Sequence, residues 1–197
     1  MTKKRSQSVE KMPPRKLRTD AARNRERLLE AAKEAFTIAG AEASLEDIAR
    51  RAEVGAGTLY RHFPTRDALI EAVYHSEVEK LAAAAQNYVE EMAPVEALRA
   101  WMLLFVDYIA AKHIIAPALN SVGGGASRLY EGSRGQVLGA IDGLLKRAVK
   151  RGEIRREVEA QDLIGALVGL AHFAPGAEWK RSAQRLVELL IAGARVR

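Results

Sequence analysis

The residues best able to do chemistry lie between positions 44 and 66. Thr58, Tyr60, Arg61 and His62 bring a hydroxyl, a phenol, a guanidinium and an imidazole into one short stretch, and Arg66 follows close behind. Such groups reach base edges and phosphate oxygens. Just ahead of them stand Gly55, Ala56 and Gly57, small residues suited to a segment whose backbone must approach a partner closely. Catalysis finds less support. The chain has no Cys, and His62, His75, His113 and His172 show no metal-ligand pairing at short spacing. No metal and no cofactor are therefore expected. Neither a phosphate-cradling loop nor a nucleophile elbow occurs.

Charge points to the same end of the chain. Of 31 Lys and Arg, 15 precede position 67 against 9 of the 25 acids, so the whole net charge of +6 sits in the first third. That asymmetry fits a polyanion-binding end on a neutral remainder, or a basic tail that only keeps the chain soluble. Residues 1–18 hold seven Lys/Arg, the Pro13-Pro14 pair and almost no apolar period. They are expected to form a flexible basic arm. The N-terminus lacks the apolar run of an export signal, and the Leu163–Ala174 stretch is too short to span a bilayer. A cytoplasmic protein with no membrane partner is expected.

The elements that must position these residues read as helices throughout. Leu28, Leu29, Ala32, Ala35, Phe36 and Ala39 give one helical stripe from Thr19, stopped by Gly40. Ser44, with Asp47 three residues on, predicts a capped second helix ending near Ala52. A tight connection through Glu53, Val54 and Gly55 leads to a third helix over 56–63, with Leu59 and Phe63 facing a small core, and Pro64 stops it. Thr65 predicts the cap of a long helix running to Met92. Beyond Pro94 the pattern predicts a helix over 95–112, a shorter one over 114–122, and a break at Gly123-Gly124-Gly125. Helices follow from Ser127 or Ser133 to Lys150, over 159–173 and over 178–194. No alternating pattern of useful length appears, so the fold class is all-α.

Three short helices with a turn between the second and third make the helix-turn-helix layout, in which the last helix enters the major groove. At this point the stretch Ser44-Leu45-Glu46-Asp47-Ile48-Ala49, followed by Val54-Gly55-Ala56-Gly57-Thr58-Leu59-Tyr60-Arg61-His62-Phe63-Pro64-Thr65-Arg66-Asp67-Ala68-Leu69, closely resembles the DNA-binding domain of the tetracycline-repressor (TetR) family of bacterial regulators. The resemblance covers about Thr19 to Tyr74. It implies Thr58 and Arg61 near bases, Tyr60, His62 and Arg66 on phosphates, and Leu59 and Phe63 as core. Family members often open the recognition helix with Ser-Lys. Gly55-Ala56 here removes a capping hydroxyl and a cation, which implies fewer direct base contacts. The DNA-binding set is Ser44, Gly55, Ala56, Gly57, Thr58, Tyr60, Arg61, His62 and Arg66, within residues 19–74.

Residues 75–197 then make an effector-binding and dimerisation domain. Trp101, Phe105 and Tyr108 share one helix face, and with His113, His172 and Phe173 they are candidates for contact with an unknown small-molecule effector, although an aromatic stripe equally suits a core. For Asp107 three settings stay open: solvent, an Arg partner, or a ligand donor. Small residues Gly165, Ala166 and Gly169, with Leu163, Leu167, Leu170, Leu186, Leu189 and Leu190, suit a homodimer interface of two helices per subunit. The expected function is a ligand-responsive repressor that binds a palindromic double-stranded DNA operator as a homodimer. The alternatives are an architectural DNA binder without an effector and an enzyme on a small apolar substrate.

Overall fold

In the computed structural model, residues 14–121, 125–173 and 178–196 are described, without side-chain environments for 14–18, 41, 113–115, 117, 121, 125 and 126. The chain is helical: α1 Pro14–Ala39, a 3-10 turn Gly40–Glu42, α2 Leu45–Arg51, α3 Ala56–His62, α4 Arg66–Glu91, α5 Pro94–Ser121, α6 Gly125–Lys150, α7 Ala160–Phe173 and α8 Trp179–Ala194. Short turns and extended segments join the helices, and Ile154 and Arg195 form an isolated antiparallel bridge.

Local signals set the boundaries of the first four helices. Gly40 takes φ +59° and closes α1, a conformation that costs glycine little. The Ser44 hydroxyl accepts the Asp47 N–H, and the Thr65 hydroxyl accepts that of Ala68. Each satisfies one of the unpaired donors at a helix start. The α2–α3 connection runs through Glu53, Val54 and Gly55, as expected. Its left-handed residue is Glu53 at φ +55°, while Gly55 lies in extended backbone as the first cap of α3. The Glu53 and Val54 N–H groups donate to Arg50 and Ala49 carbonyls, a paired closure of the α2 end. The Glu53 carboxylate meets Arg27 of α1 at 3.1 Å, so tertiary contact holds a conformation that local preference opposes.

Three boundaries differ from expectation. α1 begins at Pro14, five residues ahead of Thr19, because proline is tolerated at a first helical position and Lys, Arg and Leu continue it; residues 1–13 of the expected arm lie outside the described residues. The two helices expected over 95–122 are one, α5, since nothing between Lys112 and Ile114 interrupts the apolar pattern. α6 starts within the glycine run, at Gly125. The remaining glycines 123 and 124 lie outside the described residues.

The core runs without a break from Leu28, Phe36 and Ile48 through Leu59, Leu69 and Val78 to Trp101, Ile141 and Val187. α4 is the element that spans it. It packs on α1 at its start and on α5 and α6 along its body, while α5 also touches the Gly40–Glu42 turn. Glu77 of α4 accepts Lys33 of α1 and Lys80, each at 2.7 Å.

Candidate nucleic-acid interface and effector cavity

α1, α2 and α3 form a small unit around Leu28, Ile48, Leu59 and Phe63, all buried. Leu59 and Phe63 point α3 inward, which turns its other face out. Gly55, Ala56, Gly57, Tyr60 and Arg61 are exposed, and Thr58 and His62 partly so. A side chain added at Gly55 or Gly57 would meet nothing within 4 Å, so the clearance on this face is real. Arg61 donates to the Gly57 carbonyl at 3.3 Å and to the Thr58 hydroxyl at 3.0 Å, holding its guanidinium along the outer face of α3. Arg25 of α1 lies 5.6 Å over the Phe63 ring, adding a cation beside the end of α3. Ser44 serves as a cap, and its oxygen is also within 3.2 Å of Glu46.

Arg66, expected on a phosphate, is partly exposed at the start of α4. Its Nη1 donates to the Ala43 carbonyl at 2.5 Å, tying the start of α4 to the segment that enters α2. Local spacing cannot reveal this bond, because the partner lies 23 residues away. Arg50 pairs with Asp47 on the surface.

In the second half of the chain, a cavity of about 400 Å³ opens between α4, α5, α6 and α7. Phe105 and Tyr108 line it, as expected, with Val137, Leu138, Ile164 and Val168 supplying apolar wall. Its polar lining holds residues that the sequence reading missed: Tyr74, Lys112, Tyr130 and Ser133. The Tyr74 hydroxyl bonds the Ser133 hydroxyl, and the Tyr108 ring lies 6.5 Å from that of Tyr74. Burial first, and then the neighbouring Tyr74, push the Tyr108 hydroxyl far above its ordinary pKa, so it keeps its proton. Lys112 sits 3.2 Å over the Tyr130 ring, and burial pulls its pKa down to about 8. A signal for Lys112 was present, since it continues the 101, 105, 108 stripe by one more turn.

The other expected effector residues fall elsewhere. Trp101 is a correction: it is fully buried, its Nε1 donates to the Leu81 carbonyl at 2.9 Å, and it stacks on Phe105 at 5.5 Å. It braces the cavity wall from behind. His172 and Phe173 are exposed at the end of α7, beyond the cavity lining, and His172 Nδ1 lies 2.9 Å from the Val168 carbonyl. The His113 side chain lies outside the described residues. Asp107 pairs with Lys180 of α8 at 2.7 Å, a lysine rather than an arginine. A recess of about 460 Å³ beside Asp142, Lys146 and Arg156 is lined largely by charged side chains, and the Asp142–Lys146 pair already balances two of them.

The expected dimer set divides by depth. Leu163 and Leu167 are buried within the single chain and are corrected to core. Gly165, Gly169 and Leu189 are exposed, and Ala166, Leu170, Leu186 and Leu190 are partly so. With Phe173 at 90% exposure and Leu189 at 69%, this part of α7 and α8 is an apolar face left open.

An outward recognition helix on a three-helix unit, joined by α4 to a helical domain with a cavity, defines a helix-turn-helix regulator. Comparisons with known proteins agree. Residues 28–73 match the model described as bacterial regulatory proteins, tetR family. Residues 93–196 match that of the SbtR-like transcriptional regulator C-terminal domain. The TetR transcriptional regulator SCO0520 from Streptomyces coelicolor is 41% identical at a TM-score of 0.77, covering 87% of this chain and 98% of that one. A TetR regulatory protein from Mycobacterium vanbaalenii is 34% identical at 0.75, covering 91% and 99%. The HTH-type transcriptional regulator SrpR from Pseudomonas putida is 29% identical over 79% of this chain and 75% of its own length. The chain belongs to the TetR family of bacterial transcriptional regulators, and it is a DNA-binding protein of that class. Among the described residues no helix is long and apolar enough to cross a membrane.

Proposed function

We propose that this chain is a cytoplasmic, ligand-responsive repressor that carries out no catalysis and binds a near-palindromic operator as a homodimer. Residues 19–74 read the operator, and residues 75–197 hold the effector and the partner subunit. The observation that carries the reading is the outward face of α3, where Thr58, Tyr60 and Arg61 stand beside the clearance at Gly55 and Gly57. Two copies joined through the open α7–α8 face set two such helices about one DNA turn, ~34–36 Å, apart.

Linkage supplies the mechanism. An effector that binds better to a conformation with the recognition helices mis-spaced weakens DNA binding by the factor that DNA weakens effector binding. α4 connects the two sites, with Arg66 near the recognition unit and Tyr74 in the cavity wall. Arg61→Ala is expected to change sequence preference, whereas Tyr60→Ala weakens all sequences alike and lowers the salt slope by about 1. Competitive binding to a selected operator at several salt concentrations measures both. Unchanged binding in both variants sinks the assignment.

A further inference from the structure

Two hydroxyls of the cavity have fixed directions. Ser133 Oγ lies 2.9 Å from the Leu129 carbonyl and 3.3 Å from that of Tyr130. Carbonyls only accept, so the Ser133 proton is given to them. Tyr74 must then donate to Ser133. With those two protons committed, Lys112 is the half-buried cation in the cavity lining. Arg134 also lines the cavity but is exposed.

The charge of Lys112 lacks a counterpart. Burial pulls its pKa down, and among the described residues it makes no ion pair, although Glu77 borders the same small recess. Glu77 of α4 is engaged by Lys33 and Lys80. Glu131 of α6 lines the cavity but is exposed. A half-buried ammonium held only against the face of Tyr130 is a costly group to keep unless an anion joins it. One ammonium matches one negative charge, and a dianion would leave its second charge unmet. The walls set the body of the ligand: Phe105 and Tyr108 stack at 5.7 Å, beside Val137, Leu138 and Ile164.

We propose that the cavity takes an aryl carboxylate, with its carboxylate on Lys112 Nζ and its ring between the Phe105–Tyr108 column and the aliphatic side chains of α6 and α7. This assignment rests on the effector reading above and names the chemistry of that same site.

The test is calorimetric titration of the full-length protein with 2-naphthoate and with its neutral isostere 2-naphthamide. The carboxylate is expected to bind at least about tenfold more tightly, the scale of one charge-assisted hydrogen bond. Lys112→Met abolishes that preference and Lys112→Arg retains it. Operator binding by each variant checks that it is folded, and Lys112→Gln replaces the Met variant if that one is not. Equal affinity for the two probes, binding of neither, or a preference that survives Lys112→Met overturns the proposal. Operator affinity with and without 2-naphthoate is measured separately. Lys112-dependent binding that leaves operator affinity unchanged supports the ligand assignment and overturns the ligand-responsive reading instead.

Discussion

At Gly57 the interests of folding and of DNA approach diverge. A glycine inside a helix costs roughly 0.5–1 kcal/mol relative to alanine, and a Cβ there would meet nothing in the chain. Gly57→Ala is therefore expected to raise the melting temperature by a few degrees while weakening operator binding, as thermal scans and DNA titration would show. A gain in both would mean that the clearance is unused. Lys112 poses a similar conflict. Its folded pKa of about 8 lies below the ordinary 10.5, so the charged form is penalised in full below pH 8, and the penalty fades as pH rises toward 10.5. Lys112→Met is expected to melt higher than the parent at pH 7, with the advantage shrinking across that window. Residues whose roles depend on near neighbours, such as the Ser44 and Thr65 caps, were legible in the sequence. Glu53 and Arg66 were not, because each is defined by a group far away in the chain; the place of Lys112 on the stripe was legible, but not its burial against Tyr130.

Among elements, α1 and α4 are joined by the Lys33–Glu77–Lys80 cluster, with Glu30 at 3.4 Å from Lys80. Burial tends to raise the Glu77 pKa, but hydrogen bonds and charge from Lys33 and Lys80 outweigh it and hold the carboxyl below its ordinary value. A depressed folded pKa gives stability that is present above the ordinary value of 4.5 and is lost as pH falls through the folded one. Glu77→Gln is expected to lower the melting temperature by a few degrees at pH 7, and the deficit should shrink as pH falls below 4.5 and through the lower folded value. A deficit independent of pH would assign the effect to packing. Helix identity was legible wherever a cap and a stripe coincided, as in α2 and α4. The length of α5 was not, because a run of apolar residues does not state whether one helix or two will bury it. The stripe gave the shared face of Trp101, Phe105 and Tyr108, yet not which of them would reach the cavity; that depends on where α4 and α6 cross α5.

For the whole molecule, the open apolar face on α7 and α8 and the cavity share one helix. Ile164, Gly165 and Val168 line the cavity, while Gly169 and Phe173 lie on exposed surface of the same helix. Leu189→Arg places a charge on the open face without disturbing buried side chains. It is expected to shift the protein toward monomer in sedimentation and to weaken palindromic operator binding by tenfold or more, leaving half-site binding largely intact. A dimer that survives this change and a companion Phe173→Arg would move the interface elsewhere. The helical class and the DNA-reading unit were legible because the motif is local, whereas the cavity was only partly so, being assembled from four helices. The stacked column of Trp101, Phe105 and Tyr108 also makes the molecule its own optical instrument. The chain holds two tryptophans, and Trp179→Phe would leave Trp101, stacked directly behind the cavity-lining Phe105, as the sole indole emitter. Its emission then reports what occupies the cavity without any attached dye, so occupancy and operator release can be timed separately in a single mixing experiment.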